Sequence, residues 1–395
     1  MMSRIGDYDV IVIGAGAAGL MCAVTASQRG RKVLLLEHTD KAGAKILISG
    51  GGRCNFTNLD IAPERFLSAN PHFATSALKR YSQHDFIALV KRHGIAFHEK
   101  TLGQLFCDGS ARSIVDMLLR ECDAGGVDVR YGETVSNVAR DTHFEVTTQS
   151  KKYSGKSLVL ATGGLSIPKM GATGFAYDVA RQFGVSVTET APALVPLKAS
   201  ANCAVFDASL AGVSVEAVAT IGKHTFREGV LFTHRGLSGP AILQISSYWN
   251  PGGTVALDLL PGRDALAFLQ ERKRARPKAT IPTVLSDLYP ARLAQALANA
   301  YAPSGELANV PDKALAAVAT RLHRFEFQSD ASEGYAKAEV TRGGIDTRAL
   351  SSKTMEARDV PGLYAIGEAV DVTGWLGGYN FQWAWSSGWS AGQAV

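Results

Sequence analysis

The chain contains 395 residues, of which 46% are apolar and 19% are charged. This balance is typical of globular proteins and excludes a disordered or fibrous chain, and the length gives room for two or three domains. The formal net charge of +5 permits a polyanionic partner without requiring one. Glycine is in excess, with 40 residues. Many backbone positions are therefore expected to need a positive φ or to approach a ligand closely.

The cysteines are widely spaced, and none lies in a Cys-x-x-Cys pair. They are Cys22, Cys54, Cys107, Cys122 and Cys203. This spacing argues against disulfide exchange and against a zinc site, and is typical of reduced thiols in a cytoplasmic protein. Residues 10–27 lack charge, but glycines interrupt them and Asp7 and Asp9 precede them. We therefore expect no targeting signal, no membrane span and no metal site.

The first forty residues predict a strand at 8–13, a helix at 20–30 and a second strand at 32–36. A Gly-x-Gly-x-x-Gly run joins the first strand to the helix, formed by Gly14, Ala15, Gly16, Ala17, Ala18 and Gly19. The first glycine makes the tight turn, the second admits a pyrophosphate, and the third allows close packing of helix on strand. Glu37 follows the second strand and is expected to bind ribose hydroxyls. This arrangement predicts a dinucleotide-binding unit.

The stretch 41–58 favours FAD over NAD, because a glycine-rich loop continues where a longer cofactor would lie along the protein. Its amides can contact the pyrophosphate and the isoalloxazine edge, whereas a flexible linker would not carry Arg-Cys-Asn-x-Thr-Asn directly afterwards. The candidate contacts are Lys45, Ser49, Gly51, Gly52, Arg53, Asn55 and Thr57. Of these, Arg53 is expected to neutralise a phosphate or a flavin oxygen.

Two later segments agree with this prediction. A strand at 157–160 runs into a glycine turn, and a strand near 362–366 is followed by a glycine-rich turn that opens a helix. The candidate contacts there are Ala161, Thr162, Gly163, Gly367, Glu368, Asp371, Gly378, Asn380 and Phe381. One domain interrupted by an insertion is therefore predicted. No second Gly-x-Gly-x-x-Gly run follows, so NADH or NADPH is expected to visit the flavin only transiently.

With these residues in view, the sequence resembles the BaiN/RdsA family of FAD-dependent oxidoreductases over nearly its whole length. The matching blocks are 14–19, 45–58, 161–164, 233–241, 338–344 and 354–388, and 98–108 looks like the RdsA branch. The resemblance implies an α/β fold, with a glutathione-reductase-type, Rossmann-like FAD domain interrupted by a β-rich domain and a small helical subdomain. Val135 completes the predicted cofactor-binding set. The RdsA branch is implied to reduce a uridine of large-subunit ribosomal RNA to dihydrouridine, and other branches reduce small enones or oxidise amines.

The middle of the chain predicts strands at 213–221, 229–232, 254–259, 325–328 and 336–340, with helices at 292–300 and 313–322. We accordingly divide the chain into FAD domain (1–193), β-rich insertion (194–260), helical subdomain (261–325), return strands (326–340) and FAD domain again (341–395). Residues 272–278, hereafter the basic cluster, hold five cationic side chains. The basic cluster is expected either to contact RNA phosphates or to form a solvated helix end.

The proposed reaction transfers hydride to C6 of uracil and a proton to C5. Cys107 is the candidate acid, with a buried structural thiol as the alternative, and Cys54 is its rival. His234 and Arg235 are candidates for holding substrate. Trp375, Tyr379, Trp383 and Trp385 either fill the core or stack on a base or flavin. The alternatives to the ribosomal RNA reductase are a flavoenzyme acting on a small metabolite and a non-catalytic, FAD-containing RNA-binding protein.

Overall fold

The computed structural model describes residues 4–149, 151–201, 203 and 205–395. The chain forms two compact units, one made of Met1–Ala191 with Val340–Val395 and the other of Pro192–Glu339. The first unit is thus built from both ends of the chain. The finer division of the middle of the chain into a β-rich domain, a helical subdomain and return strands stays a prediction.

The elements are numbered in chain order. The strands are β1 (Arg4–Ile13), β2 (Val33–Leu36), β3 (Asn55–Asn58), β4 (Phe66–Leu67), β5 (Phe97–Glu99), β6 (Gln104–Cys107), β7 (Asp128–Arg130), β8 (Val135–Arg140), β9 (Phe144–Thr148), β10 (Lys152–Leu160), β11 (Ala191–Ala193), β12 (Leu197–Lys198), β13 (Ser214–Ile221), β14 (His224–Phe232), β15 (Gly236–Ser238), β16 (Thr254–Asp258), β17 (Phe325–Gln328), β18 (Ala331–Ser332), β19 (Val340–Arg342), β20 (Leu363–Ala365) and β21 (Thr373–Gly374). The helices are α1 (Ala17–Gln28), α2 (Ala44–Ile48), α3 (Phe73–Arg80), α4 (Gln83–Arg92), α5 (Arg112–Ala124), α6 (Phe175–Gln182), α7 (Pro240–Ser246), α8 (Ala265–Ala275), α9 (Ile281–Leu285), α10 (Ala291–Tyr301), α11 (Asp312–His323) and α12 (Tyr379–Gly392).

The main sheet of the first unit has the order β7-β2-β1-β10-β9-β8, and β20 also pairs with β10. The strands β7, β2, β1, β10 and β20 run parallel. Ile13 stands opposite both Leu36 and Leu160, so three parallel strands end at one edge. Side chains on both faces of β1 are buried, which explains its continuous apolar run. Ligands of such sheets bind outside the carboxyl ends of the strands.

The C-terminal helix α12 packs against α1 through two glycines one turn apart. A Cβ on Gly388 would stand 2.4 Å from the carbonyl oxygen of Ala18, and one on Gly392 would stand 2.8 Å from that of Cys22. Backbones approach this closely only where side chains are absent. This contact fixes α12, and with it the glycine turn before it, against the first βα unit.

The second unit is an antiparallel sheet of order β17-β16-β13-β14-β15-β12-β18 accompanied by helices α7 to α11. It confirms the strands predicted at 213–221, 229–232, 254–259 and 325–328 and both predicted helices. The strand predicted at 336–340 is wrong apart from Val340, where β19 begins. A turn occupies the other residues, because Gly334 adopts φ +72° and its carbonyl accepts the amides of Lys337 and Ala338. None of the helices formed by described residues has the length and apolar character needed to cross a bilayer.

Candidate functional site

The three glycines after β1 each meet a different spatial demand. Gly14 has φ +107°, and a Cβ there would stand 2.5 Å from the carbonyl oxygen of Ala161. A Cβ on Gly19 would stand 1.9 Å from the carbonyl oxygen of Gly14. Gly16 has nothing within 4 Å of its missing Cβ. The outer glycines are therefore required by the fold, whereas Gly16 leaves open space at the start of α1, where amides are free to bind an anion.

Glu37 lies at the same edge of the sheet and is almost buried, with 8% exposure. Its carboxylate accepts the amide of Ala15 at 2.9 Å and both the amide and the hydroxyl of Thr39 at 2.9 Å. The amide of Glu133 donates to the Glu37 carbonyl, and β8 begins two residues later at Val135. The structure thus brings Glu37 and Val135 to one end of the candidate dinucleotide site.

The first turn of α1 contacts the segment that returns from the far end of the chain. Ala17 opens the helix, and the Cβ of Ala18 lies 2.8 Å from where a Cβ of Gly367 would stand. Gly367 has φ +64° and is held by α12, because Ser387 Oγ accepts its amide and Trp383 Nε1 donates to its carbonyl. The two ends of the chain therefore meet at the carboxyl edge of the main sheet.

The glycine-rich loop forms a short 3₁₀ turn (Ser49–Gly52) after α2. Ser49 Oγ donates to a carbonyl of α2, and the following glycines Gly50, Gly51 and Gly52 have φ of 57°, 67° and 86°. Gly51 has open space where a Cβ would be. The side chain of Arg53 is exposed, and its guanidinium forms no hydrogen bond or ion pair with any described residue. The loop is thus held by its own backbone and leaves Arg53 free to bind an anion.

The strand β3 faces the turn that opens α12. A Cβ on Gly378, which has φ +94°, would stand 2.5 Å from the carbonyl oxygen of Thr57. Asn55 Nδ2 donates to Gln104 Oε1 at 2.8 Å, and a Cβ on Gly377 would stand 2.9 Å from Gln104 Cδ. Asn55 Oδ1 is buried and has no hydrogen-bond partner in the described part of the chain. Asn55, Thr57 and Gly378 therefore lie together around Gln104.

Of the other residues near this turn, Asn380 ties α12 to the preceding loop, since its Oδ1 accepts the amide of Gly374 and its Nδ2 donates to the Gly374 carbonyl. Phe381 is half-buried and stacks on Trp385, with ring centroids 5.7 Å apart. Trp383, Trp385 and Tyr379 are buried and Trp375 is half-buried, so the first three pack in the core.

A polar network joins Lys45 to the C-terminal segment. Lys45 Nζ donates to Ser166 Oγ at 2.6 Å and to Glu368 Oε2 at 2.7 Å. Ser166 Oγ and the amide of Thr341 both donate to Glu368 Oε1. Next to this network, Asp371 is nearly buried and accepts the amide of Ala69, and burial raises the pKa of its carboxyl, with the Asp346 charge adding to the effect.

The turn after β10 carries two further predicted contacts. Gly163 has φ +76° with open space around it, and Thr162 Oγ1 is buried without a hydrogen-bond partner among the described residues. Such orphaned buried polar atoms are rare in folded proteins unless a ligand or water satisfies them. Together with Asn55 Oδ1 and the space at Gly16 and Gly51, they fit an extended dinucleotide. FAD is the cofactor that this set of residues fits.

The two candidate thiols lie side by side under the glycine-rich loop. The amide of Cys107 donates to the carbonyl of Arg53 at 3.0 Å and contacts that of Cys54 at 3.4 Å. Both thiols are buried, and burial raises the pKa of Cys54 to about 12 and, with the Asp108 charge, that of Cys107 to about 11. Both remain protonated at neutral pH. Cys107 also belongs to the buried apolar cluster with Leu105, and its role as acid stays a prediction.

The remaining candidates lie in the second unit. His234 is exposed in the turn between β14 and β15, and its neighbour Arg235 forms an ion pair with Glu333 at 3.3 Å. In the basic cluster, Arg272 and Arg276 both pair with Asp287, and Lys273 pairs with Asp312. The cationic side chains that stay exposed and unpaired among described residues are Arg274 and Lys278. Three of the five cationic side chains are therefore held in ion pairs within the unit.

Sequence reasoning missed three residues of the site. Gln104 could have been found, because strand alternation places it and Phe106 on the face opposite Cys107. Ser166 and Thr341 gave no local signal, since they join the network only through the fold.

The model of one family, described as "HI0933-like protein Rossmann domain", matches residues 8–394. The chain belongs to this family. Three relatives align with nearly the whole chain. The Escherichia coli protein named "Ribosomal RNA dihydrouridine synthase" is 52% identical over 98% of this chain and 97% of its own, and the Haemophilus influenzae protein of that name is 46% identical over 98% of both. The "3-dehydro-bile acid delta(4,6)-reductase" of Clostridium scindens is 30% identical over 100% of this chain and 99% of its own.

The fold also resembles that of a solved structure. A 3-ketosteroid-delta4-(5alpha)-dehydrogenase from Rhodococcus jostii superposes with a TM-score of 0.51 over 99% of this chain and 98% of its own, at 16% identity. This likeness confirms the predicted fold class, an α/β Rossmann-type domain interrupted by an insertion.

Proposed function

We propose that this protein reduces a uridine of 23S ribosomal RNA to 5,6-dihydrouridine, using electrons that NADH or NADPH delivers to FAD. The observation that carries the proposal is the 52% identity, over nearly the full length of both chains, to a protein named for that reaction. We place the reaction in the cytoplasm, where ribosomal RNA and reduced nicotinamide cofactors occur together.

The residues of the first unit account for cofactor binding. The chemistry that these residues would hold in place is that of reduced FAD, which would supply a hydride to C6 of the activated C=C bond of uracil. The open backbone at Gly16 and the amides of α1 would hold the pyrophosphate, and Glu37 would accept hydrogen bonds from the adenosine ribose. The positive end of the α12 dipole, at the turn of Gly378, would face the flavin, and Asn55 Oδ1 would offer the flavin a hydrogen-bond acceptor.

The proton that C5 requires is assigned to Cys107 Sγ. Its raised pKa, about 11, keeps the thiol protonated at neutral pH, and its amide is tied to Arg53 of the glycine-rich loop. Donation of this proton leaves a buried thiolate, and burial destabilises that charged form. Cys107 must therefore be protonated again before the next cycle. Cys54 is the second candidate because it adjoins the same loop. His234 stays a candidate for holding RNA.

The test is deletion of the gene followed by mass spectrometry of nucleosides from 23S ribosomal RNA. We expect a single dihydrouridine to disappear and to return when the gene is restored. A matched control restores the Gly16→Ala variant, in which the space for the pyrophosphate is filled and the modification should stay absent. An unchanged dihydrouridine content in the deletion strain would rule the proposal out.

A second candidate function is reduction of a conjugated small molecule. The full-length match to a protein named as a bile acid reductase favours it. Anaerobic mixing of the purified protein with NADH and with NADPH distinguishes catalysis from a structural role for FAD, because only a catalytic flavin loses its colour. Oxidation of the reduced enzyme by an enone, but not by an RNA that contains the target uridine, would favour the small-molecule reductase.

A further inference from the structure

The hairpin of β5 and β6 ends in a turn whose exposed residue is a leucine. The amide of Gln104 donates to the carbonyl of Thr101 at 3.1 Å, and the two residues between them, Leu102 and Gly103, have φ of 53° and 75°. Four-residue turns with positive φ at both central positions favour glycine, asparagine or aspartate there. Leu102 is 66% exposed, more than any other large apolar side chain described. Leu102 therefore adopts a backbone conformation that leucine disfavours, and it exposes an apolar side chain to solvent.

No packing contact explains this leucine. Among the described non-glycine residues with positive φ, Cys54, Leu194 and Met355 are buried and Ile167 is half-buried, so each gains from contact with its surroundings. Within the described part of the chain, only Leu102 combines a strained non-glycine backbone with an exposed side chain. Strain of this kind persists where the surrounding structure imposes it, and it clusters at functional sites.

The turn is tied to the candidate active site. Asn58 Nδ2 donates to the carbonyl of Leu102 at 3.0 Å and to that of Gly377 at 2.9 Å. The amide of Leu59 donates to the carbonyl of Gly103 at 2.8 Å. Since Gly377 begins the turn that opens α12, one asparagine side chain joins the leucine to the flavin end of the site. Leu102 is thus held at a fixed place beside that site.

We propose that Leu102 is an apolar wedge that fills the RNA stack when the target uridine leaves it, an inference that rests on the proposed function. A base inside folded RNA cannot reach a flavin until it is extruded, and extrusion costs stacking energy. Proteins that distort nucleic acids insert leucine, phenylalanine or isoleucine between base steps to replace lost stacking. The ligand of Leu102 is accordingly the pair of bases that flank the extruded uridine.

The decisive variant is Leu102→Gly, because glycine removes the wedge and relieves the backbone. Its melting temperature and FAD content should equal or exceed those of the wild type. On a structured ribosomal RNA fragment we expect dihydrouridine formation to slow by about tenfold or more, and on a short single-stranded oligonucleotide to stay within about twofold. Leu102→Met should restore the activity on structured RNA. The matched control is Leu59→Ala, which removes a neighbouring exposed leucine and should change neither rate.

A readout besides activity uses 2-aminopurine placed next to the target uridine. Its fluorescence should rise when the wild-type protein binds and should not rise with Leu102→Gly. Equal rates of wild type and Leu102→Gly on structured RNA overturn the wedge, as does an equal loss on both RNAs or a change of oligomeric state. A wild-type protein that reduces neither RNA refutes the proposed function itself, which separates that failure from failure of the wedge alone.

Discussion

Lys45 and Glu368, 323 residues apart in the chain, form a hydrogen-bonded ion pair with Nζ 2.7 Å from Oε2. Ser166 contacts both partners. The pair is partly shielded, since the two side chains are 32% and 18% exposed. It fastens the segment after β20 to α2, and so helps to close the candidate site from both ends of the chain.

The variant Lys45→Met should leave one oxygen of Glu368 without its cation. We expect the free energy of unfolding of the apoprotein to fall by about 1–3 kcal/mol, and FAD affinity to fall with it. Urea denaturation and flavin titration measure the two effects. Lys156→Met is the control, because its ion pair with Asp9 lies on a 67% exposed side chain and should matter by less than about 1 kcal/mol. Equal effects of the two variants would contradict the shielded role of Lys45.

Alanine substitutions of Gly16 and Gly19 should have different effects, the first on FAD affinity and the second on folding. Gly16→Ala should fold with an unchanged melting temperature and lose FAD affinity by at least about tenfold, because the added methyl meets no protein atom. Gly19→Ala should fail to fold properly, because its methyl would stand 1.9 Å from the Gly14 carbonyl oxygen. Thermal melts without and with FAD distinguish the two. Retention of FAD by Gly16→Ala would disprove the assigned space.

At the contact of α12 with α1, glycine should be more stabilising than alanine, the reverse of the usual preference inside a helix. Alanine normally stabilises a helix interior over glycine by about 1 kcal/mol. Gly388→Ala should instead destabilise by about 2–4 kcal/mol, because its Cβ would meet the Ala18 backbone. Gly109→Ala has open space and no positive φ, and should be neutral or slightly stabilising. Chemical denaturation of both variants provides the measurement, and a more stable Gly388→Ala would show that the helices separate easily.

The proposed acid can be tested apart from flavin reduction. Cys107→Ala should keep its FAD and its rate of bleaching by the nicotinamide donor, yet form dihydrouridine about 10²-fold or more slowly. Anaerobic stopped-flow absorbance and nucleoside mass spectrometry separate these steps. Cys54→Ala is the companion variant, because the Cys54 thiol is also buried under the glycine-rich loop. A slow Cys54→Ala beside a fully active Cys107→Ala would transfer the role to Cys54.

Alkaline pH should destabilise the protein through its buried thiols. Burial raises the pKa of Cys22 and of Cys122 to about 12 in the folded state. The unfolded chain loses these protons above about pH 9, so stability is intact below that pH and falls between about 9 and 12, by up to about 1.4 kcal/mol per pH unit for each thiol. Urea denaturation at pH 8 to 10.5 should show a shallower loss for Cys122→Ala, and an unchanged slope would refute this assignment.

The local pattern of the sequence was enough for the elements that depend on neighbours in the chain. The buried strand, the glycine spacing and Glu37 predicted the nucleotide-binding βαβ unit, because a parallel strand buried on both faces and a tight glycine turn leave their mark within forty residues. The sequence also predicted the helix that follows Gly378. The strand predicted at 336–340 is wrong apart from Val340, because a turn that begins at Gly334 satisfies the backbone there instead.

Only the tertiary structure decided which side chains act together. Ion pairs hold Arg272, Lys273 and Arg276, three members of a cluster that the sequence shows only as positive charge. Ser166 joins Lys45 to Glu368, and Asn58 joins Leu102 to Gly377, over separations of hundreds of residues. Backbone preferences and hydrophobic periodicity are local, so the sequence alone determined the cofactor class and the first βαβ unit. Hydrogen bonds between distant segments depend on how strands and helices are brought together, and the fold alone assigned those partners.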